Sequence, residues 1–268
     1  MKNTIKTFAL FLTAGAMLAS CDSYLDRQPD EPLTSDNIFK KQKTTLQYLT
    51  NIYSYQPDYE APACVSNSND IPWEASSDET SFAYLDRAYT QINYNSWNPS
   101  INIYRNDTYN TPYKGIREAN YFMQHVHECP ELTDTDKGYY YNEARFLRAH
   151  FYAMMLPVYG PVFLIGDDPV DFTQSGLDQR ERNTWDECVS YVANELWEAA
   201  KGLPDSWPDI YYGRATKGAA LAARARLLLY SARKLFNGNE LYKGIVNKNG
   251  DHLFPTQYDE KKWELAAQ

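Results

Sequence analysis

Ring-bearing and amide-bearing residues crowd into one part of this 268-residue chain: from Ser54 to Pro112, 59 positions hold ten aromatic residues and eight asparagines. An aromatic face packs on C–H surfaces, and a planar amide offers a donor and an acceptor to hydroxyls. Together they suit non-covalent recognition of a ligand that is apolar-faced and hydroxyl-rich, the alternative being that the rings pack elements together. Other residue types suggest less. Asp78 and Glu79 are adjacent, so their side chains do not flank a substrate as an acid/base pair, and a turn or cap role is expected. His125 and His127 are two apart, a gap that does not share a helical face, so no metal site is expected there. Asp167, Asp168 and Asp171 form an oxygen-rich loop without the spacing and glycine of an EF-hand, which favours a solvated loop over Ca2+. Arg214 and Lys217 flank a helix start, where a cation opposes the helix dipole, so one of them is expected to pair with an acid. No nucleophile elbow, phosphate loop, zincin helix or dinucleotide fingerprint occurs. The sequence therefore assigns no catalytic residue, no metal and no cofactor.

One cysteine has a chemistry of its own. Lys2 and Lys6 precede an apolar run, Thr7 to Ala19, and the small residues before Cys21 read Leu18-Ala19-Ser20. The run is shorter than the ~20 residues that cross a bilayer, and the layout is that of a bacterial lipoprotein signal with Cys21 as the acylated residue. The alternative is an ordinary secretory signal in which Cys21 is incidental. Residues 1–20 are thus read as signal peptide and 21–36, with two prolines and five acids, as an extended tether. The remaining cysteines, 64, 129 and 188, have no C-x-x-C spacing and form neither a disulfide framework nor a zinc site. A net charge of −9 argues against nucleic acid and against electrostatic docking on anionic lipid.

The elements that must position these residues are helical. Ser35 or Asp36 caps a first helix with Phe39, Leu46, Leu49 and Tyr53 inward. From Ser54 to Pro112 periodicity lapses, and a structureless stretch of that length is usually functional or disordered. Its aromatic content argues for order. Ile116, Ala119, Met123 and Val126 then step at helical spacing. From Asp134 to Val158, Tyr140, Ala144, Leu147, Phe151 and Met154 face inward, while Glu143, Arg145 and Arg148 fall elsewhere around the cylinder. Tyr159-Gly160-Pro161 ends that helix. Thr184 to Leu203 presents Trp185, Val189, Val192, Leu196 and Ala199. Thr216 to Phe236 is apolar on most faces, which predicts burial between neighbours. Tyr258, Trp263, Leu265 and Ala266 open a last helix that stops without a capping signal, leaving an apolar face uncovered. The predicted fold is mainly α: tetratricopeptide-like helical hairpins, carrying one long, irregular, aromatic-rich excursion, over residues 37–268.

Several segments, in order, resemble the N-terminal part of the SusD/RagB family of outer-membrane lipoproteins: Cys21-Asp22-Ser23-Tyr24-Leu25-Asp26, Ser77-Asp78-Glu79, Tyr113-Lys114-Gly115-Ile116-Arg117-Glu118-Ala119-Asn120, Ala144-Arg145-Phe146-Leu147-Arg148-Ala149 running on to Tyr159-Gly160, and Gly213-Arg214-Ala215-Thr216-Lys217-Gly218-Ala219-Ala220. The resemblance implies a surface-exposed, lipid-anchored protein of the outer membrane. Such a protein binds oligosaccharides, or sometimes peptides, without catalysis and delivers them to a SusC-like TonB-dependent transporter. It also implies a ligand-stacking aromatic shortly after Ser-Asp-Glu and a polar partner three residues on. Those positions hold Tyr84 and Arg87. Trp73, Asn67 and Phe82 are secondary ligand candidates, with Trp73 and Phe82 equally readable as small-core residues that pin the loop. Trp97-Asn98-Pro99 matches a family pattern and reads as a structural anchor. Members of the family are considerably longer, so the chain is expected to be an incomplete member. Two other classes stay open on the residues alone: a surface glycoside hydrolase, which needs only two carboxylates, and a helical-repeat scaffold that binds protein.

Overall fold

A computed structural model describes residues 35–56, 77–78, 91, 93–96, 98, 106–167 and 180–268. Among these the regular elements are helices: α1 (Ser35–Ile38), α2 (Gln42–Tyr53), a π-turn (Asn106–Asn110), α3 (Thr111–His125), α4 (Asp134–Tyr159), α5 (Trp185–Gly202), α6 (Lys217–Ala232) and α7 (Lys261–Ala266). The described residues include no strand, only an isolated bridge between Val246 and His252. From α3 to α6 each helix packs antiparallel on the next, α2 lies against α3 and α4, and α7 lies against α6.

The helix ends follow local chemistry. Thr133 caps α4 by accepting from the Asp136 N–H at 3.1 Å, with Asp134 and Asp136 in the first turn, where carboxylates favour the dipole. Gly160 ends it at φ 67°, a conformation that side-chain-bearing residues rarely adopt. Thr184 and Glu187 form a reciprocal capping box at the start of α5, and the bonds to Glu187 hold its carboxyl below the usual range. Thr216 caps α6 through the Ala219 N–H at 3.2 Å. Gly115 lets α3 approach α4 closely, since a Cβ there would lie 2.5 Å from the Phe151 ring. The apolar seams hold Ile116, Phe122, Leu147, Phe151, Met155, Val192 and Leu196.

Four expectations are corrected. The first helix breaks after Ile38 because Lys41 is extended, the Thr44 and Thr45 hydroxyls bond the Ile38 carbonyl, and Glu131 accepts from the Gln42 N–H at 2.7 Å. That break seats Phe39 among Tyr48, Tyr121, Phe122 and His125. Helix α6 ends at Ala232, not Phe236. The chain turns at Arg233 so that Phe236 stacks on Trp185 at 4.1 Å, and Asn237 then clasps the Asp259 backbone from both sides. Nor is α6 buried all round: Ala219, Ala222 and Leu229 are exposed. The last helix, α7, packs on α6 with Lys262 paired to Asp186 at 2.5 Å, while Trp263 and Leu265 are 41% and 43% exposed.

The fourth correction concerns charge. Glu143 and Arg148, expected away from the apolar face, are 0% and 1% exposed. Arg148 donates to Glu195 at 2.5 Å, to Asp167 at 2.6 Å and to Asn120 at 2.7 Å, while Arg145 holds the same Glu195 through two bonds of 3.0 and 2.7 Å. Burial pushes the Glu195 carboxyl up, but the bonds and charges of Arg145 and Arg148 outweigh it and leave the group below its ordinary value. A buried ion pair is costly to form and costlier to break on one side.

Two outcomes follow from this packing. Glu195→Ala leaves Arg145 without its carboxylate and Arg148 with Asp167 as its remaining one, and lowers stability by about 2–3 kcal/mol at pH 7, read as a drop in the urea midpoint. A change within 1 kcal/mol, on the order of a surface pair, would refute the buried network. His150 stacks on Phe146, has a buried Nδ1 with no hydrogen-bond partner, and is pushed by burial, and then by the Arg226 charge, from 6.5 down to about 4. The unfolded chain therefore takes up the proton first as pH falls. Stability is complete above pH 6.5 and is lost toward pH 4, by about 3 kcal/mol. Urea unfolding of His150→Phe at pH 7 and pH 4.5 should show a smaller pH-dependent loss than the parent; equal losses would contradict the assignment.

Candidate functional site

The ligand residues expected from the sequence, Tyr84, Arg87, Trp73, Asn67 and Phe82, lie outside the described residues, as do Cys21, Cys64, Glu79, Trp97, Pro99, Asp168 and Asp171. The structure places the two roots of the aromatic stretch. At its departure, the Tyr53 hydroxyl donates to Glu143 and accepts from the Ala215 N–H at 2.9 Å. Glu143 is also gripped by both arms of Arg214, with Nε at 2.8 Å. The Arg214 guanidinium rests over Trp207 at 4.0 Å, Tyr140 at 4.9 Å and Tyr211 at 5.1 Å. The expected acid partner of Arg214 is therefore Glu143, on α4. At the return, Thr108 bonds the Tyr159 hydroxyl at 2.7 Å, and the Tyr109 ring sits 5.0 Å from both Tyr113 and Tyr159. One root is thus pinned near Glu143 and the other near Tyr159, on the same helix, separated by about 24 Å at 1.5 Å per residue.

A second surface runs beside the return root. Residues 162–167 belong to no helix and have no partner strand among the described residues, so side chains satisfy much of the backbone. Tyr113 bonds both the N–H and the carbonyl of Phe163, at 3.1 and 2.9 Å, and Tyr152 does the same for Ile165 at 2.8 and 3.2 Å. Asn183 accepts from Leu164, Asn120 donates to Gly166, and Gln124 donates to Asp167. Burial raises the hydroxyl pKa of Tyr53, Tyr113 and Tyr152, which keeps each one a neutral donor. Such groups position; they do not act as nucleophiles.

The remaining reactive groups are also occupied. The Asp167 carboxylate takes Arg148, so its charge is matched by a guanidinium. His125 bonds Glu128 at 2.8 Å and His127 lies 5.6 Å from the Tyr141 ring, on separate partners as their spacing implies. Asp78 is exposed. Cys129 and Cys188 are buried free thiols, and burial pushes Cys188 up to about 11, which makes it unreactive. Among the described residues no cluster of His, Cys, Asp or Glu could hold a metal ion, and no helix is long and apolar enough to cross a membrane.

Sequence reasoning missed Glu143, Arg148 and Glu195 as interior residues because it followed apolar spacing alone. The signal was present: Arg148 falls four after Ala144 and three before Phe151, both fully buried, which puts it on the inward face.

The family model described as SusD-like, starch-binding and associating with the outer membrane, matches residues 23–229. No curated protein matches. Among solved structures, a SusD-like protein from Bacteroides fragilis is 24% identical with a TM-score of 0.63, over 78% of this chain and 39% of its own. A SusD-like carbohydrate-binding protein from the same species is 20% identical with a TM-score of 0.59, over 73% and 38%. Surface glycan-binding protein A from Bacteroides thetaiotaomicron, solved in complex with laminarihexaose, is 17% identical with a TM-score of 0.56, over 72% and 39%. These likenesses establish a shared helical fold, and the chain spans about two fifths of the length of each. The family match begins just after Cys21 and runs through α1 to α5 into α6, and on that span the chain belongs to the SusD-like family.

Proposed function

We propose that this protein is a cell-surface lipoprotein, anchored to the outer membrane through Cys21, that binds oligosaccharides and passes them to a SusC-like TonB-dependent transporter. The observation that carries the reading is the match of residues 23–229 to a family described as starch-binding and outer-membrane associated. The laminarihexaose bound to a structural relative supports an oligosaccharide as the ligand class. In this reading the 54–112 stretch supplies the site. Tyr84 stacks on a sugar face, Arg87 hydrogen bonds its hydroxyls, and Trp73, Asn67 and Phe82 contribute secondary contacts. The two roots, on Tyr53 and on Thr108–Tyr109, hold that stretch to α4. Binding needs rings, amides and a guanidinium, all neutral or permanently charged near neutral pH, and it needs no bond-breaking step.

Isothermal titration of the mature protein with laminari-oligosaccharides and malto-oligosaccharides tests the reading. Tyr84→Ala should weaken the preferred ligand about tenfold or more, and chromatography should recover the ligand uncleaved. Unchanged affinity would remove Tyr84 from the site. Turnover abolished by one Asp or Glu substitution would make the protein a hydrolase. Capture of a TonB-dependent transporter from mildly solubilised outer membrane checks the delivery step; a folded, glycan-binding protein that captures none would overturn that step alone.

A further inference from the structure

The sign of the charge reverses along α6. From Ile210 to Asn239 the chain carries six cations, Arg214, Lys217, Arg224, Arg226, Arg233 and Lys234, and no acid, in a protein of net charge −9. Arg214 is spent on Glu143 and Arg224 lies over the Trp197 ring at 5.4 Å. Among the described residues, Arg226, Arg233 and Lys234 have no carboxylate partner, whereas cations before and after them do: Lys201 with Glu198, Lys243 with Glu240, Lys262 with Asp186. Ala219, Ala222, Arg226 and Leu229 recur at spacings of three and four on α6 and are all exposed, so they share one outward face; Arg233 and Lys234, just past the end of the helix, are exposed as well. Half-buried Tyr230 lies at its edge, with the Arg233 guanidinium 5.2 Å from the ring centroid and Arg226 one turn before it.

The helix dipole accounts for cations at the C-terminal end, Arg233 and Lys234, but gives nothing to Arg226 in mid-helix. A protein partner is not what the face fits. Among the described residues, Leu229 at 47% and Leu235 at 43% exposed are its large aliphatic side chains, short of the apolar centre that a stable protein interface needs. A ring edge with guanidiniums a turn away on either side, and an ammonium beyond, fits a chain that alternates C–H faces with carboxylates. We propose that the outer face of α6 and the turn that follows it, through Arg226, Tyr230, Arg233 and Lys234, bind acidic oligosaccharides that carry uronate carboxylates. This deepens the oligosaccharide reading above by naming a ligand class and a second surface, and it is testable apart from Tyr84.

The test is isothermal titration of the mature protein with an oligogalacturonate and with a neutral laminari-oligosaccharide of equal length. Arg226→Glu/Arg233→Glu should weaken the oligogalacturonate about tenfold or more and leave the neutral ligand unchanged. Rising salt should weaken only the acidic ligand. Arg226→Gln, at an exposed position, gives the same direction without charge reversal, and circular dichroism confirms the fold of each variant. The proposal is overturned if the parent binds no oligogalacturonate, if either variant binds it as the parent does, or if a poly-glutamate peptide of matched length binds equally well. Arginine-dependent binding of the acidic ligand without any neutral binding would retain this surface and remove the Tyr84 site.

Discussion

Helix α4 carries charge into the interior on two of its faces, and most of its neighbours are tied to one of those charges. Glu143 gathers Tyr53 from the end of α2 and Arg214 from the α5–α6 turn. Five positions later Arg148 gathers Asn120 of α3, Glu195 of α5 and the Asp167 carboxylate. Apolar burial supplies most of the favourable free energy of such a bundle, but greasy seams tolerate sliding and rotation. Charged groups with fixed hydrogen-bond geometry do not, because a shift of one turn would leave each of them unpaired away from water. The register of α2, α3 and α5 on α4 is therefore set by ions, while its strength comes from side chains such as Leu147 and Phe151.

Tyrosine does related work along the 162–167 segment. A segment outside any helix normally meets its hydrogen-bond needs from a neighbouring strand or from water. Here Tyr113 and Tyr152 each serve a donor and an acceptor of one residue, Phe163 and Ile165 respectively. Alternate residues are bound this way, so the helices act as the missing strand through their side chains. The cost is that each hydroxyl must be buried and correctly aimed. The return is a segment fixed against α3 and α4 through both polar groups of Phe163 and of Ile165.

The long helices were legible in the sequence because their caps and stops are local: Thr133 with Asp134 and Asp136, Thr184 with Glu187, and Gly160 before Pro161. What spacing could not show were decisions made by distant residues. The break after Ile38 depends on Glu131, almost ninety positions away, and the early end of α6 depends on Trp185 and Asp259. Counting apolar residues also hid Glu143 and Arg148, whose partners lie on other elements. For the candidate site, the sequence marked the stretch by its rings and amides and the resemblance singled out Tyr84 and Arg87. The structure adds the roots, Tyr53, Thr108 and Tyr109, which no spacing rule could have paired with Glu143 and Tyr159.

Those roots have a consequence for how such a protein can diverge. Both ends of the aromatic stretch are pinned to α4 by contacts of residues that flank it, about 24 Å apart along the axis. Free-energy effects at sites with no shared partners add nearly independently. Tyr53 is held by Glu143 and Ala215, and Thr108 and Tyr109 by Tyr159 and Tyr113, so the two pins share no partner and a substitution at one adds to a substitution at the other. Selection can therefore retune the departure and the return of the stretch one at a time, as two fittings on a single rigid rod.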